Sequence, residues 1–304
     1  MVAPKGTNQY LNDQQIKQGL AALRQFIEKK DQQSSIERPK KDLLEAGDQK
    51  RFYIFVEVAF KNIPEVSRTF IHAIRLPHHW RWHLEPEEEN IALFVPHRRP
   101  DTEAQAIQLA RDRDLDMDNT HSFYKNLLKK KLDASIYSRI SKIISIKELA
   151  TDYNTYQKID RLSKAYDLFL GDKKLMFNKF NPLPRRLGRR FWVREKKVPL
   201  MVKLSAKRLN ERFVRALSTE PFYITGRSAT ERICLGMHDM PTNELVDNIK
   251  VFLTQLSDLY GDSVRFIKFR TTEGLSLPVF ADLSLTCKKV VVRKKTNKRK
   301  TKIE

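Results

Sequence analysis

The stretch Leu168-Phe169-Leu170-Gly171-Asp172 constrains this chain most, because an apolar run closed by a glycine and an aspartate suits the end of a strand buried on both faces. Such a strand needs cover on each side. That need points to a sheet lying between helices, and open α/β sheets place their ligands at the carboxyl ends of their strands. The chain then enters an amphipathic segment. Leu183, Leu187 and Phe191 recur at i, i+4 and i+8, whereas Arg185, Arg186, Arg189 and Arg190 fall elsewhere. A short helix is therefore predicted to dock by its apolar stripe and present guanidiniums outward. Gly188 can supply the positive φ that ends it. Between Pro184 and Lys203 there are eight Lys or Arg residues against one acidic residue, Glu195. Such a run reads either as a solvated face or as a polyanion contact. Phe191 and Trp192 within it suit base stacking if exposed and core anchoring if buried.

Net charge favours the polyanion. The 304 residues carry 58 Lys plus Arg against 37 Asp plus Glu, a formal charge of +21. Such an excess suits nucleic acid first and an anionic membrane surface second. No stretch approaches the roughly 18 apolar residues of a membrane span, and the first residues lack a signal peptide's apolar segment. A soluble protein made in a reducing compartment is expected. Cys234 and Cys287 are too few for a four-thiolate metal site. The nine glycines are spaced too widely for a dinucleotide fingerprint or a phosphate loop. His78, His79 and His83 have no carboxylate or cysteine at ligand spacing, and the acidic groups at 87–89 and 112–118 read as polar linkers. No enzyme, metal, cofactor or small-molecule substrate is expected.

In chain order, Asp13 can cap a helix whose Ile16, Leu20, Leu23 and Ile27 form one face to about Lys30. Residues 32–50 read as a connection. Ile54, Val56, Val58 and Phe60 then alternate with Tyr53, Phe55 and Glu57, a strand signal, and 70–76 supplies a second strand. Strands at 91–95, 143–146 and 168–170, with helices at 102–111 and 155–166, keep a βαβ rhythm. Between them, 112–141 is an added, mostly helical segment with Phe123, Leu127, Leu128 and Leu132 on one side. Its Lys129-Lys130-Lys131 reads as a solvated helix end or a second contact surface. Residues 201–204 are strand-like and 208–216 mixed; 222–225 and 232–235 flank Gly226-Arg227-Ser228 as a hairpin. A helix from Thr242 or Asn243 buries Leu245, Ile249, Phe252 and Leu256, and strands at 264–269 and 275–280 follow. The segment 288–304, with nine basic residues and one acidic, reads as a disordered tail that serves as a nuclear or nucleolar address, an RNA-grasping arm, or both.

Together these segments resemble the ribosomal protein L-one family, the large-subunit stalk protein and its eukaryotic nucleolar relatives. The resemblance is carried by Asp167, Asp172, Leu183-Pro184, Leu187-Gly188, Phe191, Lys196-Lys197 and Pro199, by Leu76-Pro77-His78, and by Thr271, Thr272 and Gly274. Glu273 stands where the family has methionine, and a carboxylate there weakens or redirects that loop's RNA contact. The resemblance implies an α/β protein of two domains. The first, a discontinuous two-layer α/β domain of residues 1–90 and 200–287, would face RNA with its sheet. The second, a three-layer Rossmann-like domain of residues 91–199, would be inserted into it, with Pro77, His78 and Pro199 at the hinge. Arg185, Arg186, Arg189, Arg190, Lys196 and Lys197 would bind phosphates, while Thr271, Thr272 and Gly274 would read RNA shape. The implied function is a nucleolar factor that binds pre-ribosomal RNA among other ribosome-assembly factors. The shorter nucleolar form, which travels with the small-subunit precursor containing the U-three guide RNA, resembles this chain more. The large-subunit precursor, a mature large-subunit ribosomal protein and a protein-only scaffold in the pre-ribosome stay open as alternatives.

Overall fold

The computed structural model describes residues 10–37, 52–66, 69–97, 113–176, 182–272 and 276–284. The expected helix at 102–111, the pair Glu273-Gly274 and the basic tail lie outside them. In chain order the elements are α1 (Asp13–Glu37), β1 (Tyr53–Phe60), β2 (Phe70–Arg75), β3 (Ile91–Val95), α2 (Arg113–Lys131), α3 (Ala134–Tyr137), β4 (Ile140–Ser145), α4 (Ile146–Thr151), α5 (Tyr156–Ala165), β5 (Leu168–Asp172), α6 (Lys173–Met176), α7 (Pro182–Arg189), β6 (Leu200–Val202), α8 (Leu209–Leu217), β7 (Thr219–Ile224), β8 (Thr230–Met237), α9 (Thr242–Tyr260), β9 (Val264–Thr271) and β10 (Ser276–Ala281). They form two compact units, one drawn from Met1–His78 and Glu220–Glu304 and the other from His79–Thr219.

The first unit is built on an antiparallel sheet in the order β10-β9-β1-β8, with β2 and β7 paired separately. Period-two alternation sends Ile54, Val56, Val58 and Phe60 of β1 inward with Ile267 and Phe269 of β9. The apolar stripes of α1 (Ile16, Leu20, Leu23, Ile27) and α9 (Leu245, Ile249, Phe252, Leu256) are buried as well. Each such side chain contributes about 1.5–3 kcal/mol relative to exposure. The helix α1 runs past Lys30 to Glu37, since neither glycine nor proline falls between Lys30 and Pro39. The expected hairpin does not form. β8 joins β1 and β7 joins β2, because Ile233 is needed beside Val56 while Phe222 packs edge-on against Phe252 of α9 at 5.3 Å.

In the second unit a parallel sheet runs β4-β3-β5-β6. Every residue of β3 and β5 is buried, as the continuous apolar run requires. One face packs against Leu128, Leu132 and Ile136 of the 112–141 segment and against Leu209 and Phe213 of α8. The other packs against Leu149, Leu162, Leu175, Leu183, Leu187 and Phe191. The added segment is therefore one of the two cover layers. α4 was missed in the sequence although Ser145 and Glu148 form a reciprocal capping box there.

The domain limits differ from those expected at 90/91 and 199/200. Residues 200–219 stay with the second unit because β6 pairs with β5 and α8 covers the sheet. Residues 79–90 stay with it because Arg81 is buried there: its Nε donates to Glu89 Oε1 at 2.8 Å and one of its terminal nitrogens donates to the Leu217 carbonyl at 3.1 Å. Arg139 approaches the other Glu89 oxygen at 3.6 Å. Glu89, read from sequence as part of a polar linker, is thus the centre of a buried charge cluster.

Candidate nucleic-acid interface

The strand β5 sets up the arginine-rich helix. Gly171 has no side chain, and a Cβ there would meet Leu183 Cδ2 at 3.1 Å, so α7 packs its first apolar residue close over the carboxyl end of the strand. Leu183, Leu187 and Phe191 are buried, and the Phe191 ring meets Phe169 edge-on at 4.9 Å. Gly188, at φ 74 and ψ 168, breaks the helix, which resumes as a wide turn over Arg190–Arg194. That backbone combination is open essentially to glycine alone.

With the apolar side fixed, Arg185, Arg186, Arg189 and Arg190 are exposed. They are not equivalent. Arg190 reaches Asp160 of α5 at 3.1 Å, and the same carboxylate takes Lys164 at 2.9 Å. The Lys164 hydrogen bond, with the charges of Lys164, Arg190 and Arg194 behind it, holds the Asp160 carboxyl below its ordinary range. Arg185, Arg186 and Arg189 have no carboxylate partner among the described residues. Three adjacent cations left in this way attract phosphate.

The rest of the basic loop behaves differently. Lys196 is exposed, with its backbone in the left-handed region at φ 52. Lys197 turns inward and donates to the carbonyl oxygens of Tyr166 at 3.1 Å and Asp167 at 2.8 Å. Burial lowers its pKa, opposed by the Asp167 carboxylate. Its ammonium is therefore engaged at the start of β5, away from the role expected of it. Phe191 is a core anchor, and Trp192 is half-buried against the same cluster. The Phe191 ring is closed to stacking, and the Trp192 ring is partly covered. Pro199 is buried inside the second unit, whose limit falls at Thr219, so it is not a hinge residue. Pro77 and His78 do lie at the other limit, where the His78 backbone N–H donates to Asn248 Oδ1 at 3.0 Å.

In the first unit, Thr271 and Thr272 separate in the same way. Thr271 is buried, whereas Thr272 is exposed and its hydroxyl oxygen accepts the Tyr53 backbone N–H at 3.0 Å. Beside them the outward positions of the sheet hold groups that the sequence reading did not single out as a site. These are the half-buried rings of Phe55 and Phe266 together with Arg232, Lys268 and Arg270. The signal was present in the alternation itself, since Tyr53, Phe55 and Glu57 occupy the phase opposite the core.

Among the described residues no group of His, Cys, Asp or Glu is arranged to hold a metal ion, and no helix is long and apolar enough to cross a membrane. A family model described as the ribosomal protein L1p/L10e family matches residues 23–275. Ribosomal L1 domain-containing protein 1 of Mus musculus is 30% identical over 203 residues, which cover 66% of this chain and 43% of that protein. A Schizosaccharomyces pombe protein provisionally named for ribosome biogenesis is 24% identical over 191 residues, covering 59% of this chain and 49% of that protein. The chain spans about half the length of the relatives it matches.

Proposed function

Since this chain belongs to the ribosomal protein L1p/L10e family, we propose that it is a non-enzymatic factor of ribosome assembly that binds pre-ribosomal RNA in a nucleolar precursor particle, among other assembly factors. The observation that carries this reading is the row Arg185, Arg186 and Arg189. These are exposed guanidiniums, unpaired among the described residues, on a helix whose other side is locked into the core. Clustered like charge costs energy that a polyphosphate relieves, with release of its counterions. Arg190 and Lys196 extend the row, and exposed Thr272 adds a polar contact in the first unit. The name of the S. pombe relative supports a ribosome-assembly role. The small-subunit precursor is the particle we favour, on the resemblance to the shorter nucleolar form.

Binding of a labelled precursor-RNA fragment, followed by fluorescence anisotropy across a salt series, tests the interface. Replacing Arg185, Arg186 and Arg189 together with alanine should flatten the slope of log affinity against log salt by roughly 2, at about 0.7–0.9 per lost phosphate contact. An unchanged slope in a folded variant removes α7 from the interface. Ultraviolet crosslinking in cells, with the attached RNA mapped along the precursor transcript, tests the particle. A peak in the small-subunit half supports it, and one in the large-subunit half moves the protein to the other precursor. No enrichment of precursor RNA would leave a protein-only scaffold.

A further inference from the structure

The parallel sheet of the second unit is covered on both faces, and each cover carries a cationic outer side. On one face α7 docks by Leu183 and Leu187 and exposes Arg185, Arg186 and Arg189. On the other, α2 docks by Leu128 and Leu132 and α8 by Leu209 and Phe213. These two helices are joined where α2 ends and α8 begins. The Asp133 backbone N–H donates to Asn210 Oδ1 at 3.4 Å, and the Asn210 amide donates back to the Asp133 carboxylate. That link brings Lys129, Lys130 and Lys131, which shortly precede Asp133, beside Arg208 and Arg212, which flank Asn210. All of these cations are exposed, and Lys207 with them. Among the described residues only Arg208 has a carboxylate partner, Glu211 at 3.3 Å. A helix dipole accounts for lysines in the last turn of α2, but it works against cations at the start of α8.

We infer that the outer side of α2 and α8 is a second phosphate-binding surface, so that the inserted unit bridges two RNA segments, one on α7 and one on the opposite layer. This inference rests on the RNA-binding reading above and adds to it a role in holding two backbones together. Helix, sheet and helix layers of ~10 Å each set the two surfaces roughly 30 Å apart. That is several times the screening length of ~8 Å at physiological salt. Each surface therefore attracts its own phosphates, and a backbone seated on one does not lie on the other. The occupant is nucleic acid rather than protein because the surface offers charge without an apolar anchor. Leu128, Leu132, Leu209 and Phe213 are buried in the core, and Leu127 and Val214 pack against it. Protein interfaces draw their affinity from aromatic and other large side chains buried at the centre of the contact, whereas phosphate binding needs only clustered cations.

The test uses the full chain and a short RNA hairpin, prepared in donor-labelled and acceptor-labelled forms. With less protein than RNA the two labels should transfer energy, and excess protein should abolish the transfer by giving each hairpin its own copy. Lys129→Gln, Lys130→Gln, Lys131→Gln and Arg212→Gln together should eliminate transfer while leaving one hairpin bound with the salt slope that α7 sets. Photocrosslinking of a thiouridine-bearing hairpin to the unaltered protein should label the peptide around Lys129–Lys131 as well as that around Arg185–Arg189, a readout that needs no variant. Hairpin binding without transfer, transfer that survives the combined substitution, or crosslinks to α7 with none to α2 or α8 would overturn the bridge and leave the α7 contact standing. Displacement of one hairpin by poly-glutamate more readily than by further RNA would give the surface to an acidic protein and overturn the bridge as well. Failure of any hairpin to bind would overturn the RNA-binding reading together with it.

Discussion

Lys197 Nζ donates to the carbonyl oxygen of Asp167 at 2.8 Å, tying the basic loop to the residue that leads into β5 from thirty residues further along the chain. A second donation, to the Tyr166 carbonyl at 3.1 Å, completes the clamp. The lysine belongs to the scaffold that presents the arginines.

Lys197→Met should therefore destabilise the protein by about 1.5–3 kcal/mol in urea unfolding, the usual worth of hydrogen bonds from a charged donor. Its RNA salt slope should match the unaltered protein. Burial holds this ammonium's pKa below the ordinary 10.5, so the native protein gains stability as pH rises through the window just under that value, and the variant lacks the gain. A slope flattened as strongly as in the arginine variant would return Lys197 to the interface.

Glu89 sits between Arg81 and Arg139, all three nearly excluded from solvent. Burial raises the Glu89 carboxyl above the ordinary 4.5 despite both guanidiniums. The contribution of this group to stability accordingly falls as pH rises from 4.5 through the raised value. Glu89→Gln removes that pH dependence and leaves two buried cations uncompensated, at a cost of about 3–5 kcal/mol. Denaturant midpoints measured from pH 4 upward check both effects. A variant as stable as the parent at neutral pH would show that water reaches the cluster.

Lys61 Nζ lies 2.6 Å from Asp282 Oδ2, and the Ser284 backbone N–H donates to the other carboxylate oxygen at 2.9 Å. The hydrogen bond from Lys61 comes first among the causes that lower the Asp282 carboxyl to about 2. The stability it adds is complete above the ordinary 3.8 and is lost as pH falls toward 2. In Lys61→Met, a carboxyl-detected NMR titration should find the Asp282 midpoint moved up toward 3.8. An unmoved midpoint would assign the shift to Ser284 alone.

At Gly188 a Cβ would touch nothing within 4 Å, so Gly188→Ala isolates backbone strain at φ 74 and ψ 168. The expected cost is about 1–3 kcal/mol, read from thermal or urea melts. Because the break in α7 sets where Arg189 and Arg190 point, the RNA salt slope should change as well. A neutral substitution would mean that the helix can run straight through.

The arginine face of α7 was legible in the sequence because a helix repeats every 3.6 residues, and the spacing of Leu183, Leu187 and Phe191 alone decides which side is buried. The same is true of β1, where a period of two assigned Ile54, Val56, Val58 and Phe60 to the core. β5 was legible from its unbroken apolar run Leu168–Leu170, closed by Gly171-Asp172. The limits of the inserted unit were harder to see. Residues 208–216 carry a helical stripe, but nothing local says which sheet Phe213 covers.

The sequence by itself determined periodicity, charge and the need for a positive φ at Gly188, all of which are set within a few residues. Only the tertiary structure decided which cations stay available. Lys196 and Lys197 are adjacent and chemically alike, yet one is solvent-exposed and the other is held by carbonyls thirty residues earlier in the chain. Likewise Phe191 entered the core while Phe55 and Phe266 came to the open face of a sheet, because strand pairing and helix docking join residues far apart in sequence. The energy of a partner comes from contact, and contact is not written in spacing.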